Sequence, residues 1–254
     1  MIDFFSYAFG EMRALFKSLS KLNRQTGVVL LLAAILGIWK FTFGSYDFFN
    51  SALAPALGAH SSGIWSHAYL CISQILIGFM IPVLVLVFIF HKRPHEIGLC
   101  AGNVKLAAAS FLIYLPLATI GGWFLSADAA FQHKYPMIQA VAFDWRLFAV
   151  YEVFFLFYWV GWEYLWRGFL LFGTAHTFGR WSVFIQMLPF AALHAQKPMP
   201  EAYLSILGAL VLGALVWRCR AFWVAVPIHA FQMFAMDLFC ILRLRWVVEG
   251  IIGR

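Results

Sequence analysis

Glu163 and Arg167 lie four residues apart in YEVFFLFYWVGWEYLWRGFLLFG, residues 151–173. On a helix that spacing puts them on one face, one turn apart, in the favourable order of acid before base. The surrounding residues are aromatic and aliphatic, so the pair sits at bilayer depth. An ionisable side chain there costs a few kcal/mol and marks either a functional site or an internal ion pair. Glu152 precedes Glu163 by eleven positions. That is about 20° round the helix but three turns away, too far for a carboxylate dyad, and Glu152 reads as a packing or boundary residue. Two histidines share the apolar setting: His194 closes the run QMLPFAALHAQKP, and His229 stands inside AFWVAVPIHAFQMFAMDLF. A single histidine in an apolar helix is ordinarily a hydrogen-bonded packing residue. Two of them plus a glutamate, on three different segments, satisfy their polar groups most economically by converging.

A Glu, His, His cluster supports two chemistries. In one, the carboxylate draws a proton from a water that attacks a carbonyl, and an imidazole donates a hydrogen bond to the developing oxyanion. In the other, the three side chains hold a divalent metal such as zinc, which acidifies a bound water. No H-E-x-x-H pair occurs on a single helix, so the metal has no motif support and no cofactor is expected.

These residues need a scaffold, and composition names its class. Of 254 residues, 63% are hydrophobic and 11% charged, where soluble domains carry charge on about a quarter of their residues. The chain reads as a polytopic membrane protein. The net charge of +7 comes as short basic clusters at the ends of apolar runs, where orientation signals sit, which argues against a nucleic-acid partner. Cys71, Cys100, Cys219 and Cys240 have neither metal nor redox spacing, and no disulfide framework is expected. The first long apolar run starts near Gly27 without a small-residue cleavage site, so it is expected to remain as a span.

Residues 3 to 24 predict an amphipathic helix. Phe4, Phe5, Ala8, Phe9, Met12, Leu15, Phe16, Leu19 and Leu22 share one face and Arg13, Lys17, Lys21 and Arg24 the other. Such a helix lies in the membrane interface, or packs on the protein's own cytoplasmic surface. Apolar segments follow at 27–46, 68–90, 105–125, 145–173, 181–195, 202–217 and 221–242. All are judged against the roughly 20 residues needed to cross the hydrocarbon, and the fifth is short. The expected fold is therefore all-α: a helical membrane bundle of seven to eight segments, with an interfacial helix over 1–26 and one transmembrane domain over 27–254. The basic loop HKRPHEIGLCAGNVK and the Arg/Lys-bearing N-terminus belong to the cytoplasm by the positive-inside rule. Seven spans from there leave Arg243 and Arg245 on the opposite side, so a span is miscounted or the tail folds back. The loop SADAAFQHKYPMIQAVAFD reads as a lid or entry rim.

In order and spacing the chemistry-bearing residues resemble the CPBP family of intramembrane proteases, which includes type II CAAX prenyl endopeptidases and bacteriocin-processing and abortive-infection proteins. The family's E-E-x-x-x-R followed by Gly is resembled by W-E-Y-L-W-R-G at Trp162–Gly168. Its F-x-x-x-H is matched by Phe190 and His194, and the histidine of its H-x-x-x-Asn/Asp by His229. The likeness covers residues 150–235. Two positions depart: Trp162 replaces the first glutamate, and Met233 replaces the final Asn or Asp, with the amide of Gln232 next to it. The resemblance implies a glutamate-type intramembrane endopeptidase acting on a membrane-associated protein or peptide. Glu163 would be the general base, Arg167 would position it, His194 and His229 would hold water and oxyanion, and Phe190 and Gln232 would support them. It also implies a bacterial inner membrane, in which the positive-inside rule puts the N-terminus on the cytoplasmic side. The departures favour an alternative, a non-proteolytic member acting as a membrane partner, chaperone or component of an acyl-transfer pathway. A small transporter is the third possibility, but no repeat or pair of broken helices supports it.

Overall fold

The computed structural model describes residues 4–19, 23–56, 63–248 and 250, all of them helix, turn or irregular chain with no strand. Helix α1 (Phe4–Leu19) forms within the amphipathic stretch, of which Asp3 and residues 20–22, including Lys21 and Leu22, lie outside the described residues. α2 (Arg24–Phe41) starts at Asn23, whose side chain accepts a hydrogen bond from the Gln25 amide and so satisfies one orphan N–H of the first turn. α3 (Ile64–Ile89) contains two π-helical turns, Leu76–Met80 and Val85–Ile89, on either side of Pro82. Proline cannot donate to the helical ladder and crowds the preceding turn, and widened turns accommodate it. α4 (Val104–Leu125) is capped by Asn103. α5 (Trp145–Glu163), capped by Asp144, runs through a π-helical turn, Tyr164–Leu170, into α6 (Leu171–Phe178). α7 (Ser182–Ala192), α8 (Met199–Cys219) and α9 (Ala225–Val248) complete the chain.

Among the described residues, five helical stretches, α2, α3, α4, α8 and Phe222–Val247, are long and apolar enough to cross a membrane. The α5–α6 rod and the short α7 fill the bundle between them. This is the expected all-α membrane architecture, and each apolar segment of the sequence is helical. Short helices within 46–56 and at Ala129–Lys134 are additions that their lengths hide from periodicity.

α5 is the centre of the bundle. α3 crosses it backbone to backbone: a Cβ on Gly161 would lie 2.3 Å from the Gln74 carbonyl oxygen, and one on Gly78 would lie 2.3 Å from that of Gly161. Small residues at such crossings let apolar helices gain dispersion contact where no hydrophobic drive separates protein from lipid. Gly161→Ala is therefore expected to cost about 1–3 kcal/mol by overpacking against main chain that cannot rotate away. Thermal unfolding in detergent would measure the loss. α7 pairs with α8, and α9 with α4.

The two ends of the bundle differ in charge. At one end Gln25 donates to the Gly173 carbonyl, the Asn103 amide to that of Cys219, and the Trp223 indole to that of Cys100. Around these contacts stand Arg24, Lys92, Arg93, Lys105, Arg218 and Arg220. At the other end Arg243 donates to the Ser126 hydroxyl and the Trp123 carbonyl, and Arg245 to the Ala142 carbonyl. These two arginines thus lie at the end of the bundle that carries the 126–144 loop. They are held there by specific acceptors and not by a tail that folds back.

Candidate active site

The three motif segments meet on the inner face of α5. Arg167 Nη1 donates to Glu163 Oε1 at 3.1 Å, and His229 Nδ1 donates to the same oxygen at 2.6 Å. Glu163 and Arg167 are fully buried, and His229 nearly so. The π-helical turn that carries Arg167 begins directly after Glu163, and Gly168 makes it possible. A Cβ at 168 would sit 2.2 Å from the Tyr164 ring. The Arg-Gly pair of the motif therefore has a steric reason.

Aromatic rings hold the cluster. His229 stacks on Trp159 with centroids 4.2 Å apart, and the Arg167 guanidinium lies 4.0 Å from the Phe190 ring centroid. His194 follows from the end of α7, where its Nδ1 donates to the Phe190 carbonyl at 2.7 Å. A carbonyl or carboxylate can only accept, so both imidazoles carry their proton on Nδ1 and, when neutral, present a lone pair at Nε2.

His194 and His229 line a cavity of about 600 Å³ between α4, α8 and α9. Its walls are apolar, with Ile113, Leu117, Leu204, Leu207 and Val211 among them, and its other polar groups include Tyr114, Tyr135, Glu201 and Gln232. Phe190 and Met233 also line it, whereas Glu163 and Arg167 do not. Glu163 Oε2 and Arg167 Nε and Nη2 are enclosed without a protein partner. Glu163, Arg167, His194, His229, Phe190 and Gln232 are thus gathered in one region, but the glutamate stands behind His229 and not at the cavity surface.

Trp162 takes a different direction from Glu163. Its ring packs against Phe190 at 5.7 Å and His194 at 6.1 Å, with Lys40 Nζ 5.1 Å above it. The position that carries a carboxylate in the family motif therefore lies beside His194 here, filled by an indole.

Two acids escape the motif reading. Glu201, in the first turn of α8, accepts from the Tyr135 hydroxyl at 2.7 and 2.8 Å and pairs with Lys197 at 3.3 Å. Burial pushes the Tyr135 hydroxyl well above its usual range, with Glu201 adding to the shift. Burial also lowers Lys197, against the opposing pull of Glu201. Asp237, fully buried two turns past His229, lies 3.4 Å from the Tyr151 hydroxyl and beside Glu152. Asp237 obeys the same rule of charge inside an apolar run that singles out Glu163, so the signal was present.

Among the described residues, no three His, Cys, Asp or Glu side chains are grouped so as to hold a metal ion. No curated protein and no solved structure matches the chain. The family model described as Type II CAAX prenyl endopeptidase Rce1-like matches residues 144–235. That segment contains Glu163, Arg167, Phe190, His194 and His229 in the order in which the geometry brings them together, and over it the chain is similar to the type II CAAX prenyl endopeptidase Rce1-like family.

Proposed function

We propose that the protein is an intramembrane endopeptidase that hydrolyses a peptide bond of a membrane-associated protein or peptide without a covalent intermediate. The observation that carries this reading is the 2.6 Å hydrogen bond from His229 to Glu163, which backs an imidazole lining an apolar-walled cavity. Because Glu163 Oε1 already accepts from both Arg167 and His229, the glutamate acts through His229. It fixes the Nδ1–H tautomer and stabilises the imidazolium that forms. His229 Nε2 takes a proton from water as the water oxygen bonds to the scissile carbonyl carbon. The proton then passes to the amide nitrogen as the C–N bond breaks. His194 holds the water through Nε2, and the Gln232 amide donates to the oxyanion.

The reading uses no metal, and proteolysis in proteoliposomes is expected to be unchanged by phenanthroline or EDTA. A chelator-sensitive activity restored by zinc would replace the imidazole base by a metal-bound hydroxide. The basic end of the bundle is assigned to the cytoplasm, as befits a bacterial inner membrane. In intact cells a cysteine placed at Lys134 should react with an impermeant maleimide and one at Lys92 should not. The opposite pattern would invert the topology.

A second reading, a non-proteolytic member serving as membrane partner, chaperone or acyl-transfer component, is favoured by the Trp162 indole that fills the space beside His194. Stable co-purification of a partner, with cellular function surviving loss of Glu163 and both histidines, would select it.

A further inference from the structure

Among the described residues that line the cavity, Glu201 is the sole Asp or Glu. It is fixed from two directions. The Tyr135 hydroxyl donates across both carboxylate oxygens, and Lys197 reaches Oε1 while also donating to the Tyr135 hydroxyl. This offsets the charge without exhausting the acceptor. A carboxylate has about four lone-pair sites, and one tyrosine proton and one ammonium proton do not fill them. The Lys197 amide donates to the His194 carbonyl at 3.0 Å, so one turn of chain ties Glu201 to the imidazole.

The same cavity carries the complementary group. Gln232 accepts from the Tyr114 hydroxyl through Oε1, which leaves its amide N–H donors for an occupant. An acyl chain offers nothing to such a pair. A peptide main chain presents both N–H and C=O along one edge, and its side chains suit apolar walls.

We propose that Glu201 is a substrate-binding residue that accepts a main-chain N–H of the peptide in the cavity, while Gln232 donates to a carbonyl of the same chain. The inference rests on the peptide reading above but concerns binding and not bond cleavage.

The test uses the full-length protein in proteoliposomes. The probe is a dansyl-labelled apolar octapeptide, together with a series in which each amide in turn is N-methylated. Fluorescence anisotropy gives Kd, and mass spectrometry follows cleavage separately. In the wild type, methylation at one position should weaken binding about 10-fold, as loss of a hydrogen bond to a charged group implies. In Glu201→Met the unmethylated peptide should bind about 10-fold more weakly, and the penalty at that position should vanish. Glu201→Gln keeps the shape and one acceptor, so it should fold normally and retain part of the penalty. A penalty unchanged in Glu201→Met and Glu201→Gln, no position with a penalty, or no saturable binding would overturn the proposal. Absence of cleavage with the Glu201-dependent penalty intact would support it while removing the peptidase reading.

Discussion

Arg167→Met is expected to destabilise the protein by about 3–5 kcal/mol, because it strands the Glu163 carboxylate in a site with no solvent access. Arg167 supplies the sole full countercharge within hydrogen-bond distance of that carboxylate among the described residues; His229 contributes one when protonated. The Glu163→Gln, Arg167→Met double variant should recover most of that stability, since a buried ion pair replaced by neutral groups of similar volume is often close to neutral. The double variant should still lack hydrolysis. Unfolding in detergent measures the first effect, and a double-mutant cycle isolates the coupling between the two residues. If the single and double variants were equally unstable, Arg167 would matter through packing on Phe190 and not through charge.

His229→Ala is expected to lower peptide hydrolysis by about 10²–10⁴-fold, the range that a positioned general base contributes. Its loss in stability should be smaller than that of Arg167→Met, because Glu163 keeps its guanidinium partner. His229→Gln restores a donor to Glu163 but no proton acceptor of imidazole strength, so it should recover stability and not rate. Recovery of rate in His229→Gln would make His229 a positioning residue and move the base elsewhere, with Glu201, the carboxylate that lines the cavity, the next to consider.

Much of this site is legible in the sequence, for a physical reason. A charged or titratable residue in an apolar run has to be explained by a partner, and Glu163, Arg167, His194 and His229 explain one another. Rotation about the helix was also informative. Adjacent positions lie 100° apart, and Trp162 faces Phe190 and His194 while Glu163 faces Arg167 and His229. What the linear pattern hides is depth. Nothing in the spacing tells that Glu163 stands behind His229 and not at the cavity surface. Glu201 is hidden differently: an acid in the first turn of a helix, after Met-Pro, reads as a partner for the helix dipole. Lys197 stands four residues before it, but only the fold brings Tyr135 to it from another segment. The π-helical turn at Tyr164–Leu170 leaves the apolar pattern intact and is betrayed at most by Gly168.

Whether these residues cut peptides is tested most directly by cleavage in reconstituted membranes, comparing the wild type with Glu163→Gln and His194→Ala at equal amounts of folded protein. Cleavage by the wild type, and a drop of about 10²-fold or more in each variant, is the expected result. Undiminished cleavage in both variants would contradict the proposed use of Glu163, His194 and His229.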